Sequence, residues 1–149
     1  MKKIKSTYID MKTSVNIKWL EDMAFEADVN GHKIKIDADE KVGGKDRGPR
    51  PKPLMLLALA GCTGMDVISI LRKMRVEVDN FDVEVVANNT DEHPKHYDEM
   101  KVIYKFWGKD LPKEKIEKAV NLSEERYCGV SYVYKQYVKM ETEIQINPE

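Results

Sequence analysis

The sequence predicts an α+β fold, with mainly antiparallel sheets packed on one long central helix. Three observations carry this. Residues 14–38 and 138–146 alternate apolar with polar at period two, the signature of strands with one wet face. From Pro53 to Met74 no proline intervenes, and the stretch is apolar or amphipathic throughout. Hairpin-linked strands are expected both before and after that helix.

The elements follow in order. In Ser14-Val15-Asn16-Ile17-Lys18-Trp19 the odd positions are apolar, and Met23 to Val29 repeats the pattern. Asn30-Gly31 is a strong hairpin dipeptide, and His32 to Ala38 is the return strand. Residues 40–53 hold three prolines and three glycines and read as loop. Pro53 suits the first turn of a helix. The helix is apolar on every side in its first half and amphipathic in its second, so more than one face must be covered. Strands are expected near Asp82–Asn88 and Glu99–Trp107, the latter with Met100, Val102, Tyr104 and Phe106 on one face. A polar loop, Asn89 to His96, joins them. A helix opens at Leu111-Pro112, with Ile116, Ala119, Val120 and Leu122 as its apolar stripe. Gly129 interrupts, Val130–Gln136 reads as a short helix, and Val138–Ile146 closes the chain as a strand.

At 149 residues the chain is expected to form one domain, 1–149, with its own core. Hydrophobic residues make up 42% and charged ones 34%, a globular balance rather than a disordered one. With 25 Lys+Arg against 26 Asp+Glu, the charge argues against nucleic acid as the main partner. The apolar run Pro53 to Met65 falls short of the ~20 residues of a membrane span, and Met1 to Thr7 lacks the apolar stretch of a signal sequence. The expectation is a cytoplasmic protein without nucleic-acid or membrane partners. Two cysteines in a reducing compartment form no scaffold, which turns attention to their chemistry.

Cys62 lies mid-helix between Gly61 and Gly64. A free cysteine there is by default an inert small hydrophobe. Each helical glycine, however, costs about 1 kcal/mol against alanine, so something should approach that surface closely. The helix N-terminus is too far away to acidify Cys62, and a thiolate would need a cation from elsewhere. Cys128 sits at the junction of two helical segments. If the second begins there, its free N–H groups face the sulfur. The 65 intervening residues exclude a Cys-x-x-Cys redox or zinc spacing. His93 and His96 beside Glu92 form at most a weak metal cluster, His32 flanks a turn, and no metal or cofactor is expected. The cluster Arg47, Arg50 and Lys52 is either a solvated loop or an anion-binding one.

Gly48-Pro49-Arg50-Pro51-Lys52-Pro53-Leu54 running into Leu59-Ala60-Gly61-Cys62-Thr63, then Asp66 to Leu71, resembles the central helix of the OsmC/Ohr family. Glu92-His93-Pro94 and Leu122 to Ser131 resemble that family's second cysteine segment, and agreement in order and spacing runs from Val15 to Ile146. The Asp66–Leu71 version of the motif looks closer to a less characterised branch than to typical hydroperoxide reductases.

The resemblance implies an OsmC-like fold and an intertwined homodimer, whose two central helices are covered by sheets from both chains. It further implies a thiol-dependent peroxidase acting on small organic or inorganic peroxides in oxidative stress defence. Cys62 would be the attacking thiol and Cys128 the resolving one, with a dithiol such as a lipoyl group as reductant. Peroxidase members carry an Arg in the N-terminal strands and a Glu ten residues before the first cysteine. Here no Arg precedes Arg47, and the second place is Lys52. Arg47, Arg50 and Lys52 are therefore the expected activating cations. Two other readings stand beside this one: a non-catalytic member binding a small apolar ligand in the dimer cleft, and a structural protein with inert thiols.

Overall fold

The computed structural model describes residues 12–149; the stretch from Met1 to Thr7, read above for a signal sequence, lies outside them. The fold is α+β. The chain divides into two compact units, one ending at Pro51 and the other spanning Lys52–Glu149.

The first unit is a three-stranded antiparallel sheet in the order β1-β2-β3: β1 (Asn16–Glu21), β2 (Ala24–Val29) and β3 (His32–Ile36). The expected hairpin is present. Asn30 and Gly31 both take positive φ, 54° and 81°, as a tight turn between twisted strands requires, and Asp28 Oδ1 accepts the Gly31 N–H at 3.0 Å. Register aligns Ile17, Ala27 and Ile34 across the three strands, and likewise Trp19, Phe25 and Ile36, so one face of the sheet is apolar.

The loop after β3 is held by a group the period-two pattern had read as an ordinary strand residue. Asp37 is buried, and its carboxylate accepts the backbone N–H groups of Ala38, Lys45 and Arg47 together with Arg47 Nε at 2.8 Å. Gly48 is required here because a Cβ would stand 2.3 Å from the Lys35 carbonyl oxygen.

The second unit carries the hydrophobic core. It comprises α1 (Pro53–Lys73), β4 (Asn80–Asn89), β5 (Tyr97–Trp107), α2 (Lys113–Leu122), α3 (Gly129–Tyr134) and β6 (Lys139–Ile146). Met100, Val102, Tyr104 and Phe106 line the buried face of β5 as the alternation predicts, and Phe106 stacks on Phe81 at 4.6 Å between ring centroids. Leu59, Val67 and Leu71 of α1 and Ile116, Ala119 and Val120 of α2 complete the core. Each Leu, Val, Ile, Met or Phe side chain among them, fully buried, contributes about 1.5–3 kcal/mol.

Two features add to the sequence expectation of mainly antiparallel sheets and a central helix. First, the sheet β4-β5-β6 is mixed, because β6 runs parallel to β5. The connection between them passes through α2 and α3, and such a crossover returns a strand in the same direction where a hairpin would reverse it. Second, α2 does not simply stop. It widens into a π-type turn over Ser123–Tyr127 before Cys128 breaks to extended backbone. Propensity carries no signal for that widening.

Candidate active site

Cys62 and Asp66 are four residues apart on α1 and therefore share one helix face. Cys128 approaches them from the start of α3. The two Sγ atoms and a carboxylate oxygen of Asp66 all lie within 4.8 Å of one another. Cys62 is half-buried and Cys128 is buried; both are free thiols. The structure thus brings together two residues separated by 65 positions in the sequence, and it does so within one chain.

Helix α3 explains how. Cys128 is its N-cap: φ and ψ are −75° and 102°, and Sγ accepts the Ser131 N–H at 3.3 Å. The Val130 backbone amide, in the same first turn, favours the anionic form of Cys62. Cap geometry therefore aims one orphan amide, that of Ser131, at the Cys128 sulfur. Burial pushes the Cys62 thiol up, as do the neighbouring Cys128 thiol and the negative charge of Asp66, while the Val130 N–H acts in the opposite direction.

Beneath the thiols runs a buried polar chain. Thr63 Oγ1 lies 2.7 Å from Tyr104 Oη and 2.8 Å from Ser123 Oγ. Ser123 Oγ reaches Asp66 Oδ2 at 3.3 Å, and Tyr104 Oη donates to Glu124 Oε1 at 2.9 Å. Thr142 Oγ1 and the Lys135 ammonium close the far end on Glu124. Burial drives the Tyr104 hydroxyl far above its ordinary pKa, so it stays a neutral donor. Thr63 and Ser123 are fully buried, and the network satisfies both. Sequence reading missed these residues. The available signals were a hydroxyl on the apolar face of β5 and a carboxylate one helical turn after Cys62.

The three expected cations are placed as follows. Arg47 bonds Asp37, Glu21 Oε1 at 2.6 Å and Asp22, which together hold it in the N-terminal unit. Arg50 pairs with Asp46 at 2.5 Å and more loosely with Asp39. Lys52 bonds Asn89 Oδ1 at 2.6 Å and lies over the Tyr97 ring. Because α1 runs unbroken from Pro53, Lys52 stands ~15 Å along the axis from Cys62 of the same chain.

The close approach expected at the glycines is half met: a Cβ on Gly64 would touch Val83 at 3.4 Å, whereas Gly61 faces open space within the chain. His96 bonds the Pro94 carbonyl in an exposed loop. Among the described residues, Cys62, Asp66 and Cys128 form the one group of three or more His, Cys, Asp or Glu donors close enough to share an ion.

A long apolar central helix, a mixed sheet and two cysteines meeting at a helix cap define a class of protein, and the comparisons agree on it. Residues 43–143 match the family described as OsmC-like protein. The chain belongs to this family. Protein YhfA of Escherichia coli K12 is 30% identical over 125 residues, covering 83% of this chain and 90% of that one. A crystal structure of a hypothetical protein from Aquifex aeolicus superposes with a TM-score of 0.81 at 27% identity, over 93% of this chain and 99% of that one. The organic hydroperoxide resistance protein OhrB of Bacillus subtilis shares the fold, with a TM-score of 0.64 at 18% identity, over 89% and 96% of the two chains. By length and composition alone α1, at 21 residues, could cross a bilayer. In this fold it is the central helix, packed on β4 and α2.

Proposed function

We propose that this protein is a thiol-dependent peroxidase that reduces organic or inorganic hydroperoxides, with Cys62 attacking and Cys128 resolving. The observation that carries the reading is the approach of both sulfurs to within 4.8 Å inside one chain. In the first step the Cys62 thiolate attacks one peroxide oxygen. The O–O bond breaks, Cys62 becomes a sulfenic acid, and the departing alkoxide takes a proton to leave as alcohol. The Cys128 thiol then displaces water from the sulfenic acid and forms the disulfide. A small dithiol such as a lipoyl group returns both cysteines to thiols as it is itself oxidised. The Val130 backbone amide favours the anionic form of the Cys62 sulfur. That OhrB shares the fold lends support from a protein named for hydroperoxide resistance.

The test is a thiol count. Reduced protein treated with about one equivalent of an organic hydroperoxide should lose both thiols and gain one intramolecular disulfide. Two surviving thiols after exposure to several peroxides would overturn the reading.

The working form in this proposal is a cytoplasmic homodimer of single-domain chains. Met55, Leu57 and Met65 of α1 remain 40%, 65% and 77% exposed, and Ile17 and Trp19 of β1 are exposed as well. So much uncovered apolar surface exceeds what monomers usually carry. A second copy would also explain the activating cation: Lys52 cannot reach its own Cys62, and a partner's loop would have to deliver the charge. Light scattering at micromolar concentration should return twice the 17.2 kDa chain mass. A stable monomer would remove the dimer and the delivery of charge in trans.

A further inference from the structure

A disulfide pair needs two sulfurs, and here a third donor stands with them. The Asp66 carboxylate adds negative charge beside two thiols, an arrangement that opposes the thiolate a peroxidase requires. The same three groups suit a cation. We infer that Cys62, Asp66 and Cys128 form a binding site for a thiophilic divalent metal ion of the zinc class, a second use of the thiols distinct from peroxide reduction.

The donor set is two thiolates and one carboxylate, soft enough for zinc and complementary to its charge. Binding releases the two thiol protons: the ion plus two thiols and one carboxylate gives a tris-liganded complex of net charge −1 and two protons. A tetrahedral ion with Zn–S of ~2.3 Å holds its sulfurs about 3.8 Å apart, so from a spread within 4.8 Å a contraction of at most about 1 Å is enough. Three protein ligands leave the fourth position for water or another small ligand.

The outer shell is already built. Ser123 Oγ bonds the Asp66 carboxylate and is itself fixed by Thr63 and, through it, by Tyr104 and Glu124. The Ser131 N–H bonds the Cys128 sulfur. Metal ligands are characteristically oriented by such partners. The site draws on α1 and the N-cap of α3, with the i,i+4 pair on α1 fixing two of its three ligands. Occupied, it would withhold both sulfurs from oxidation, making metal and peroxide competitors.

Cobalt(II) is the probe. Reduced, chelator-treated full-length protein titrated anaerobically with Co²⁺ should bind one ion per chain and develop a thiolate-to-cobalt charge-transfer band, which stoichiometric Zn²⁺ abolishes. Cys62→Ser and Cys128→Ser should each lose most of the band. Ser123→Ala should weaken binding by about tenfold and Asp66→Asn by more, with the far-ultraviolet circular dichroism unchanged as the check on folding. No band in the wild type overturns the inference, and so does full-strength binding in folded Asp66→Asn. No peroxide enters this experiment. Protein that ignores hydroperoxides but shows the band keeps the metal site and loses the peroxidase, and the converse result does the opposite.

Discussion

Cys128→Ser protein treated with organic hydroperoxide should stop at a sulfenic acid on Cys62, trappable by a dione reagent, because nothing remains to condense with it. The wild type should pass through that state to the disulfide. Cys62→Ser should consume peroxide only at the uncatalysed background rate while its Cys128 thiol survives. This asymmetry separates two roles that a thiol count alone leaves merged. It rests on geometry. Cys128 is buried as a helix cap, whereas Cys62 is half-exposed, so only Cys62 is open to a substrate from solution. Closing the bond asks Cα atoms to stand roughly 4.4–6.8 Å apart. The extended backbone at Cys128 and the neighbouring Gly129, whose missing Cβ meets nothing within 4 Å, let that segment adjust. Trapping on Cys128 in the Cys62→Ser protein would reverse the assignment. A protein whose thiols both survive, and which copurifies with an apolar ligand, would instead favour the binding-protein reading.

Asp37→Ala should lower the melting temperature by several degrees at neutral pH and flatten its acid dependence. The Arg47 guanidinium, and then the backbone N–H groups of Arg47, Ala38 and Lys45, hold the Asp37 carboxyl far below its ordinary value of 3.8. A carboxyl depressed on folding stabilises the native state at all pH values above the unfolded value. That contribution fades as pH falls from about 4 towards the folded value, where protonation finally catches up. Wild-type protein should therefore lose stability steeply below about pH 4. The variant starts lower and falls less, since Asp22, Asp39, Glu99 and Glu143 are depressed as well and keep part of the slope. Thermal melts of both proteins at pH 7 and pH 3 measure the difference directly. Equal slopes would mean that Asp37 is as readily protonated folded as unfolded. The same variant tests what Arg47 does. If Arg47 is chiefly the anchor of the 37–48 loop, losing Asp37 should disturb that loop before it disturbs peroxide chemistry.

Local sequence determined the elements. Period-two alternation marked β1, β2, β3, the buried face of β5 and β6, because a strand must turn every second side chain toward the core. Asn30-Gly31 marked its turn because both residues tolerate positive φ, and Pro53 marked the start of α1 because the first helical position needs no N–H donor. Cys128 was legible as a candidate helix cap, since the glycine after it breaks the pattern. These are short-range rules, written within a few residues.

Tertiary structure decided everything that joins distant segments. The parallel pairing of β6 with β5 depends on the crossover through α2 and α3, not on the strand's own alternation. Asp66 looked like the end of an apolar run, and Tyr104 looked like one more core residue. Only packing α1 against β5 and the π-type turn sets Tyr104, Thr63, Ser123 and Glu124 in hydrogen-bond contact. Arg47 resembled an exposed cation until the chain folded Asp37 beneath it. A hydroxyl or a charge carries no mark of its partner in sequence, because its energy depends on which other polar groups share its burial. The sequence therefore specified two cysteines and a long apolar helix preceded and followed by strands. Folding alone could place the two sulfurs and a carboxylate within 4.8 Å of one another.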